Sequence, residues 1–196
     1  MKNDLSIATR VSQFGDLIKR TVITDSKGVS LELEGGLVQL CDRLVALREI
    51  GSKLYLIGNG GSAGIASHAA TDFFNVGKLR ASTLHESSML TCMSNDFGYE
   101  NAFALMLSQM VTKDDLVIAI SSSGNSLNIR NGAAEARRCG AGVVTLSGFA
   151  PDNALRSLGD INIWLDSDDY GYVEVGHQFV LHNLSDRLNP VFLYNQ

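Results

Sequence analysis

Apolar positions along the chain follow two rhythms. Near the start, Ile7, Val11, Phe14, Ile18 and Val22 recur at steps of four and three, the spacing of one helix face. Leu37, Cys41, Leu44 and Arg48 keep that rhythm and place a second helix over Leu37 to Ile50. Beyond residue 52 the pattern changes. "KLYLIG" (53–58), "DLVIAISSSG" (115–124), "AGVVTLSG" (141–148) and "INIWLD" (161–166) are short apolar runs that give way to glycine or polar residues. Stretches rich in alanine and leucine lie at 62–74, 99–111 and 126–139, and "YVEVGHQFVLHNLSDRL" reads as a late helix. Continuously apolar strands alternating with helices predict an α/β fold with a parallel sheet covered on both faces. "LRASTL" (79–84) is a candidate for one more strand. The simplest organisation is a single domain over 1–196, helical over about 1–50 and built of sheet and helices over about 51–190.

Composition narrows the class of partner. The 196 residues are 45% hydrophobic and 19% charged with a net charge of -5, which gives no reason to expect nucleic acid. No run approaches the ~20 apolar residues of a membrane span. "MKNDLSIATRVSQF" has acids where a secretory signal needs an apolar stretch, so a cytoplasmic location is expected. Cys41, Cys92 and Cys139 are scattered without CxxC spacing and are expected to be buried, reduced thiols. Trp164 is expected in or beside the sheet, and His85 in solvent. The apolar tail "NPVFLYNQ" suits contact with a neighbouring subunit.

In such a sheet, ligands bind beyond the carboxyl ends of the strands. Ser121-Ser122-Ser123-Gly124-Asn125-Ser126 follows one strand and opens a helix, and hydroxyls with free N–H groups at a helix N-terminus attract an anion. Gly58-Asn59-Gly60-Gly61-Ser62 makes a similar turn, where missing side chains let a ligand approach the backbone. Neither loop is followed by GK[ST], and the glycine spacing is not GxGxxG, so a nucleotide is disfavoured. Serines without a lysine better suit one phosphate on a small sugar.

His68 and Asp72 stand one turn apart on one helix, and Glu174, His177 and His182 lie in the late helix. Two histidines and two carboxylates (His68, Asp72, Glu174, His182) also fit a zinc-type ligand set. Glu174 and His182 are about 12 Å apart along a regular helix. One ion joins them only with both side chains stretched, with an irregular first turn, or with ligands from different copies of the chain. His177 either orients a ligand or fills the helix face.

GNGGS, the strand leading to SSSGNS, "MSNDFGYENAF" between them and a late helix with two histidines together resemble the sugar isomerase (SIS) domain, in particular its phosphoheptose isomerases. The resemblance covers about residues 35–188. It implies a flavodoxin-like sheet with helices on both faces and an N-terminal helical extension. It also implies a homotetramer with active sites between subunits, and aldose–ketose isomerisation of sedoheptulose 7-phosphate or a related heptose or heptulose phosphate. Carried over by position, it assigns the phosphate to Ser62, Ser121, Ser122, Ser123 and Ser126. It adds Asn59, Gly60, Glu86, Asn95, Asp96 and Glu174 to the substrate site and makes Asp72 and His182 the acid–base pair. His68, Asp72, Glu174 and His182 would hold a divalent metal, zinc in some relatives. Asp72 stands where relatives usually have glutamate, Glu174 where they have glutamine, and Glu86 where they tend to have aspartate. Related folds also serve as non-catalytic partners of a replication initiator and as sugar-phosphate-sensing regulators. His182, lost in the former, and the lack of N-terminal room for a DNA-binding domain in the latter place the enzyme reading first.

Overall fold

The computed structural model describes residues 5–189, and the tail from Pro190 onward lies outside them. In chain order the elements are α1 (Ile7–Lys19), β1 (Val22–Asp25), β2 (Ser30–Leu31), α2 (Leu33–Glu49), β3 (Lys53–Ile57), α3 (Gly61–Asn75) and β4 (Arg80–Thr83). They continue with α4 (Ser87–Phe97), α5 (Ala102–Met110), β5 (Leu116–Ser121), α6 (Leu127–Arg138), β6 (Gly142–Ser147), β7 (Ile161–Trp164) and α7 (Tyr170–Arg187).

The sheet runs β2-β1-β7-β6-β5-β3-β4. The strands from β4 to β7 are mutually parallel, with Leu54 opposite Leu116, Leu116 opposite Gly142 and Val144 opposite Ile161. Numbered among themselves, these five follow the 2-1-3-4-5 order of flavodoxin-like folds. Alternation along each strand feeds two cores. Leu54, Leu56, Ile118, Ile120, Val144 and Leu146 face α2, α3 and α7, while Tyr55, Ile57, Val117, Ala119 and Val143 face α5 and α6. Both faces are therefore buried, which is why these strands read as unbroken apolar runs.

The sheet departs from the sequence expectation at one edge. Val22, which continues the helical spacing of α1, begins β1 and lies opposite Trp164 in an antiparallel pair with β7. β2 adds a second antiparallel strand, Ile23 opposite Leu31. A four-residue strand carries too few alternations to displace a helical stripe that runs into it. α4 was also unforeseen: none of its residues is fully buried, and Leu90 and Met93 pack only partly buried against the core. The expected helix over 99–111 begins as a 3-10 turn, Tyr99–Asn101, before α5. The cysteines are corrected as well: all three are free, but Cys92 is exposed on α4, and Cys41 and Cys139 are half-buried. Trp164 is buried in β7 with the Arg156 guanidinium over its ring. No helix among the described residues is long and apolar enough to cross a membrane.

α7 is fixed at its start and its middle. Asp169 caps it, accepting from the Tyr172 N–H at 3.2 Å, and also binds Arg10 of α1 at 2.8 Å. The Arg10 contact holds the Asp169 carboxyl below the usual carboxylate range. In the middle, His177 is fully buried, and its Nε2–H donates to the Ser147 carbonyl at 3.2 Å. Of the two roles open to it, the structure therefore gives it the second, filling the helix face. Burial lowers its pKa to about 4. The unfolded chain takes up this proton near pH 6.5 and the native chain only near 4. Stability is therefore complete above pH 6.5 and falls as pH drops towards 4, by on the order of 3 kcal/mol for this group. Unfolding midpoints measured across that window should fall more steeply for the wild type than for His177→Gln; parallel slopes would show that His177 is not the responsible group.

Candidate functional site

β3 and β5 end in the two glycine- and serine-rich loops, and both loops open at the carboxyl end of the sheet. They enclose a cavity of about 320 Å³, lined by Asn59, Gly60, Gly61, Ser62, Ser121, Ser122, Ser123 and Ser126 together with Ile120, Tyr170 and Glu174. Helix capping shows what the cavity is suited to hold. α1, α2, α4 and α7 are capped by their own side chains: Ser6, Glu32, Glu86 and Asp169. The caps of α3 and α6, Gly60 and Ser126, make no such bond. Two helix N-termini thus reach the cavity without a bond from their cap side chains, the Ile129 N–H of α6 being taken by Asn128 Oδ1 at 3.0 Å, and their dipoles favour an anion there. Ser62, Ser121 and Ser122 are buried, and the Ser122 Oγ has no hydrogen-bond partner among the described residues. Ser121 Oγ bonds Ser126 Oγ at 3.2 Å. A buried hydroxyl without a partner costs free energy unless a ligand satisfies it.

Glu174 is on the same cavity. Its carboxylate lies against Gly61, so closely that a side chain at residue 61 would overlap it. Gly60 has φ +53°, a backbone that L side chains rarely adopt, with open space where a Cβ would go. The first glycine is there for its conformation and the second for room.

Further along α3 and α7 lies a second cluster. His68 Nε2 and His182 Nδ1 stand 3.3 Å and 3.1 Å from the same oxygen, Asp72 Oδ2. The two rings meet edge to face with centroids 4.8 Å apart. Asp72 Oδ2 is buried and accepts no hydrogen bond of good geometry despite its two neighbours. Ligand atoms at about 2.05 Å from a tetrahedral zinc stand about 3.3 Å from one another, so these separations fit a shared divalent ion. His68, Asp72 and His182 offer three ligand atoms all within 4.8 Å of one another. Their side chains are 55%, 22% and 44% exposed, leaving the cluster open to solvent on one side.

Not every expected residue comes to these two places. Glu174 stays at the serine cavity and is not part of the cluster formed by His182, because the eight-residue step along α7 separates them. Glu86 caps α4, accepting from Ser88 and Met89 N–H at 3.1 Å and 2.8 Å, and those bonds hold its carboxyl below the usual range. Asn95 and Asp96 are exposed on α4 and bond each other at 2.8 Å. None of the three lines the cavity. His85, expected in solvent, is half-buried with its ring edge-on to Phe103. Its ring is enclosed beside the Gly58 backbone, and burial lowers its pKa. Tyr170 lines the cavity without having been singled out; its position at the start of the late helix was the available signal.

A larger cavity of about 450 Å³ opens at the amino ends of the strands, lined by Arg43, Lys113, Asp114, Arg137 and Asp160 among others. Its charges neutralise one another, with Arg43 bonded to Asp160 at 2.8 Å. The smaller cavity has the uncapped helices and the unpartnered hydroxyl.

Comparison with known proteins identifies the family. The sequence matches the SIS domain family over residues 22–148, a span that begins at β1. It is 32% identical over 161 residues to a phosphoheptose isomerase of Trichlorobacter lovleyi, covering 79% of this chain and 82% of that one. The chain belongs to the phosphoheptose isomerases of the SIS family. A second member, from Mycobacterium tuberculosis, is 35% identical over 153 residues, covering 75% and 78% of the two chains. The fold superposes on the phosphoheptose isomerase GmhA from Neisseria gonorrhoeae with a TM-score of 0.80 over 93% of this chain and 97% of that one, at 22% identity. Family membership thus covers the antiparallel edge that the sequence pattern concealed, as well as the two loops.

Proposed function

We propose that the protein is a phosphosugar isomerase that interconverts sedoheptulose 7-phosphate, or a related heptulose phosphate, with the corresponding aldose phosphate. The observation that carries this reading is that α3 and α7 each contribute to both the serine cavity and the His68–Asp72–His182 cluster. An anion cavity at the N-terminus of α3 and a carboxylate between two imidazoles lie along the same two helices. His68 follows Ser62 by under two turns, about 9 Å along the axis. That spacing suits an extended sugar phosphate, with the phosphoryl group at the serines and the carbonyl end at Asp72.

The serine hydroxyls and the N–H groups opening α3 and α6 hold the phosphate and orient the chain. From the ketose, Asp72 removes a proton from C1 as the C2 oxygen gains one, giving an enediol or enediolate. Returning the carbon proton to C2 while the C1 hydroxyl loses its proton completes the aldose. His182, at 3.1 Å from Asp72, is placed to move the oxygen protons. A divalent ion, zinc by the chemistry of the donors, would be held by His68, Asp72 and His182 and would supply polarisation of the carbonyl. A carboxylate that holds an ion is a weaker base than a free one, so the two roles are alternatives for Asp72.

The reading includes a homo-oligomer with a second copy of the chain over the open side of the cluster. Val175, Phe179 and His182 share one face of α7, and Val175 and Phe179 are exposed beside Ile7 and Val11 of α1. A monomer by light scattering at micromolar concentration would contradict it. The activity is tested by NMR of sedoheptulose 7-phosphate with the protein in deuterated water, with and without a chelator. Deuterium should enter C2 of an aldose product, and chelation should slow it if the ion is needed. No exchange on any heptulose phosphate would refute the isomerase reading.

A further inference from the structure

The two loops of the cavity are far apart in sequence, and a reciprocal amide pair ties them together. Asn59 Nδ2 donates to Asn128 Oδ1 at 2.8 Å, and Asn128 Nδ2 donates back to Asn59 Oδ1 at 2.9 Å. Tyr99 Oη–H donates to the same Asn59 oxygen at 2.7 Å. Asn59 belongs to the loop after β3, and Asn128 to the first turn of α6, just past the serine loop. Asn128 is only 3% exposed, although its side chain is wholly polar. Tyr99 sits in the 3-10 turn before α5, and that turn is fastened to α6 by Asn131 Nδ2, which donates to the Glu100 carbonyl at 2.9 Å. Asn59 lines the cavity, yet its side-chain oxygen is already filled by two donors and one of its two N–H groups is taken.

We infer that Asn128 and Tyr99 are positioning residues of the phosphate site: through Asn59 they lock the loop opening α3 against the loop opening α6, so that both sets of donors converge on one anion. This rests on the isomerase reading above and assigns a specificity-setting role to residues that do not themselves line the cavity. The physical case is that neither N-cap side chain bonds the first turn of its helix, so the spacing between the two N-termini is set by side chains that reach from one loop to the other. A reciprocal amide pair is directional and holds a distance in a way apolar contact does not. Tyr99 breaks the symmetry of the pair, because its O–H selects the orientation that presents the Asn59 oxygen to it.

Asn128→Asp keeps the size of the side chain and puts an acceptor where Asn59 Oδ1 now receives a donor. Tyr99→Phe removes only a hydroxyl from an exposed ring and serves if the first variant does not fold. The measurements are the inhibition constant of inorganic phosphate, KM and kcat for the heptulose phosphate, and the unfolding midpoint. Asn128→Asp should raise the phosphate constant and KM together by about tenfold, and Tyr99→Phe by about threefold, with kcat changed less than either, as expected for loss of binding common to ground and transition states. An unchanged phosphate constant in folded variants, whatever happens to the unfolding midpoint, would overturn the inference while leaving the isomerase reading in place. A wild-type protein that neither binds phosphate nor isomerises the sugar would overturn both.

Discussion

Isomerase turnover in Asp72→Asn is expected to fall by about 10³-fold, the scale of a lost general base. The variant changes one oxygen to an amide nitrogen without changing shape, and it removes the negative charge that faces both imidazoles. Asp72 Oδ2 is the atom on which His68 and His182 converge, so either role proposed for it, base or ion ligand, is lost in the same substitution. The serine cavity lies nearly three turns back along α3 and should be untouched. Inhibition by inorganic phosphate should therefore stay within about twofold of the wild type, so that kcat falls while anion binding persists. Retained turnover would show that the cluster is not the reacting end of the site. Loss of phosphate binding together with turnover would show that the variant had disturbed the fold.

Gly124→Ala should be the most damaging change in the serine loop. Gly124 has φ +65°, and a Cβ there would overlap the Asn153 side chain. Asn153 is the buried bracket behind that loop. Its Nδ2 reaches Ser147 Oγ at 3.2 Å, the Gly148 carbonyl at 3.1 Å and the Ala150 carbonyl at 2.9 Å, while the Leu155 N–H donates to the Gly124 carbonyl at 3.0 Å. The left-handed backbone costs an L residue about 1–2 kcal/mol. Displacing Asn153 forfeits hydrogen bonds worth about 1 kcal/mol each. The sum, about 3 kcal/mol, should appear as a drop in Tm of roughly 10 °C. Phosphate affinity should fall with it, because Ser121 to Ser126 lose their support. Gly60→Ala is the internal comparison: its backbone, at φ +53° and ψ -121°, is also one that L side chains rarely adopt, but nothing occupies the space a Cβ would take, so only the backbone cost of about 1–3 kcal/mol is expected. Equal melting of Gly124→Ala and the wild type would remove the bracket from the account.

Much of this arrangement could be read from the residues, and the parts that could not share a cause. The central strands were legible because both of their faces are buried, which leaves Leu54 to Ile57 and Leu116 to Ile120 without polar interruptions. The pairing of His68 with Asp72 followed from helical spacing alone. His182 was different: no spacing rule links residues on α3 and α7, so its chemistry made it a candidate ligand and the resemblance paired it with Asp72. The same blindness to long-range polar contact hid Asn128 and Tyr99, whose partner Asn59 lies in another loop. Glu174 was expected at the ion because its chemistry suits one, but position on α7 decides where a carboxylate reaches, and residue 174 reaches Gly61. β1 and α4 escaped for opposite reasons, the first because a helical stripe ran into it and the second because it has no fully buried residue, only Leu90 and Met93 partly covered.

The central claim is that the serine cavity and the His68–Asp72–His182 cluster hold the two ends of one substrate molecule. A crystal structure of Asp72→Asn soaked with sedoheptulose 7-phosphate tests it most directly. The account places the phosphorus among Ser62, Ser121, Ser122 and Ser126 at the mouths of α3 and α6, and C1 and C2 beside the two imidazoles. A sugar bound with its phosphate elsewhere, or with its carbonyl end directed away from His68 and His182, would contradict it.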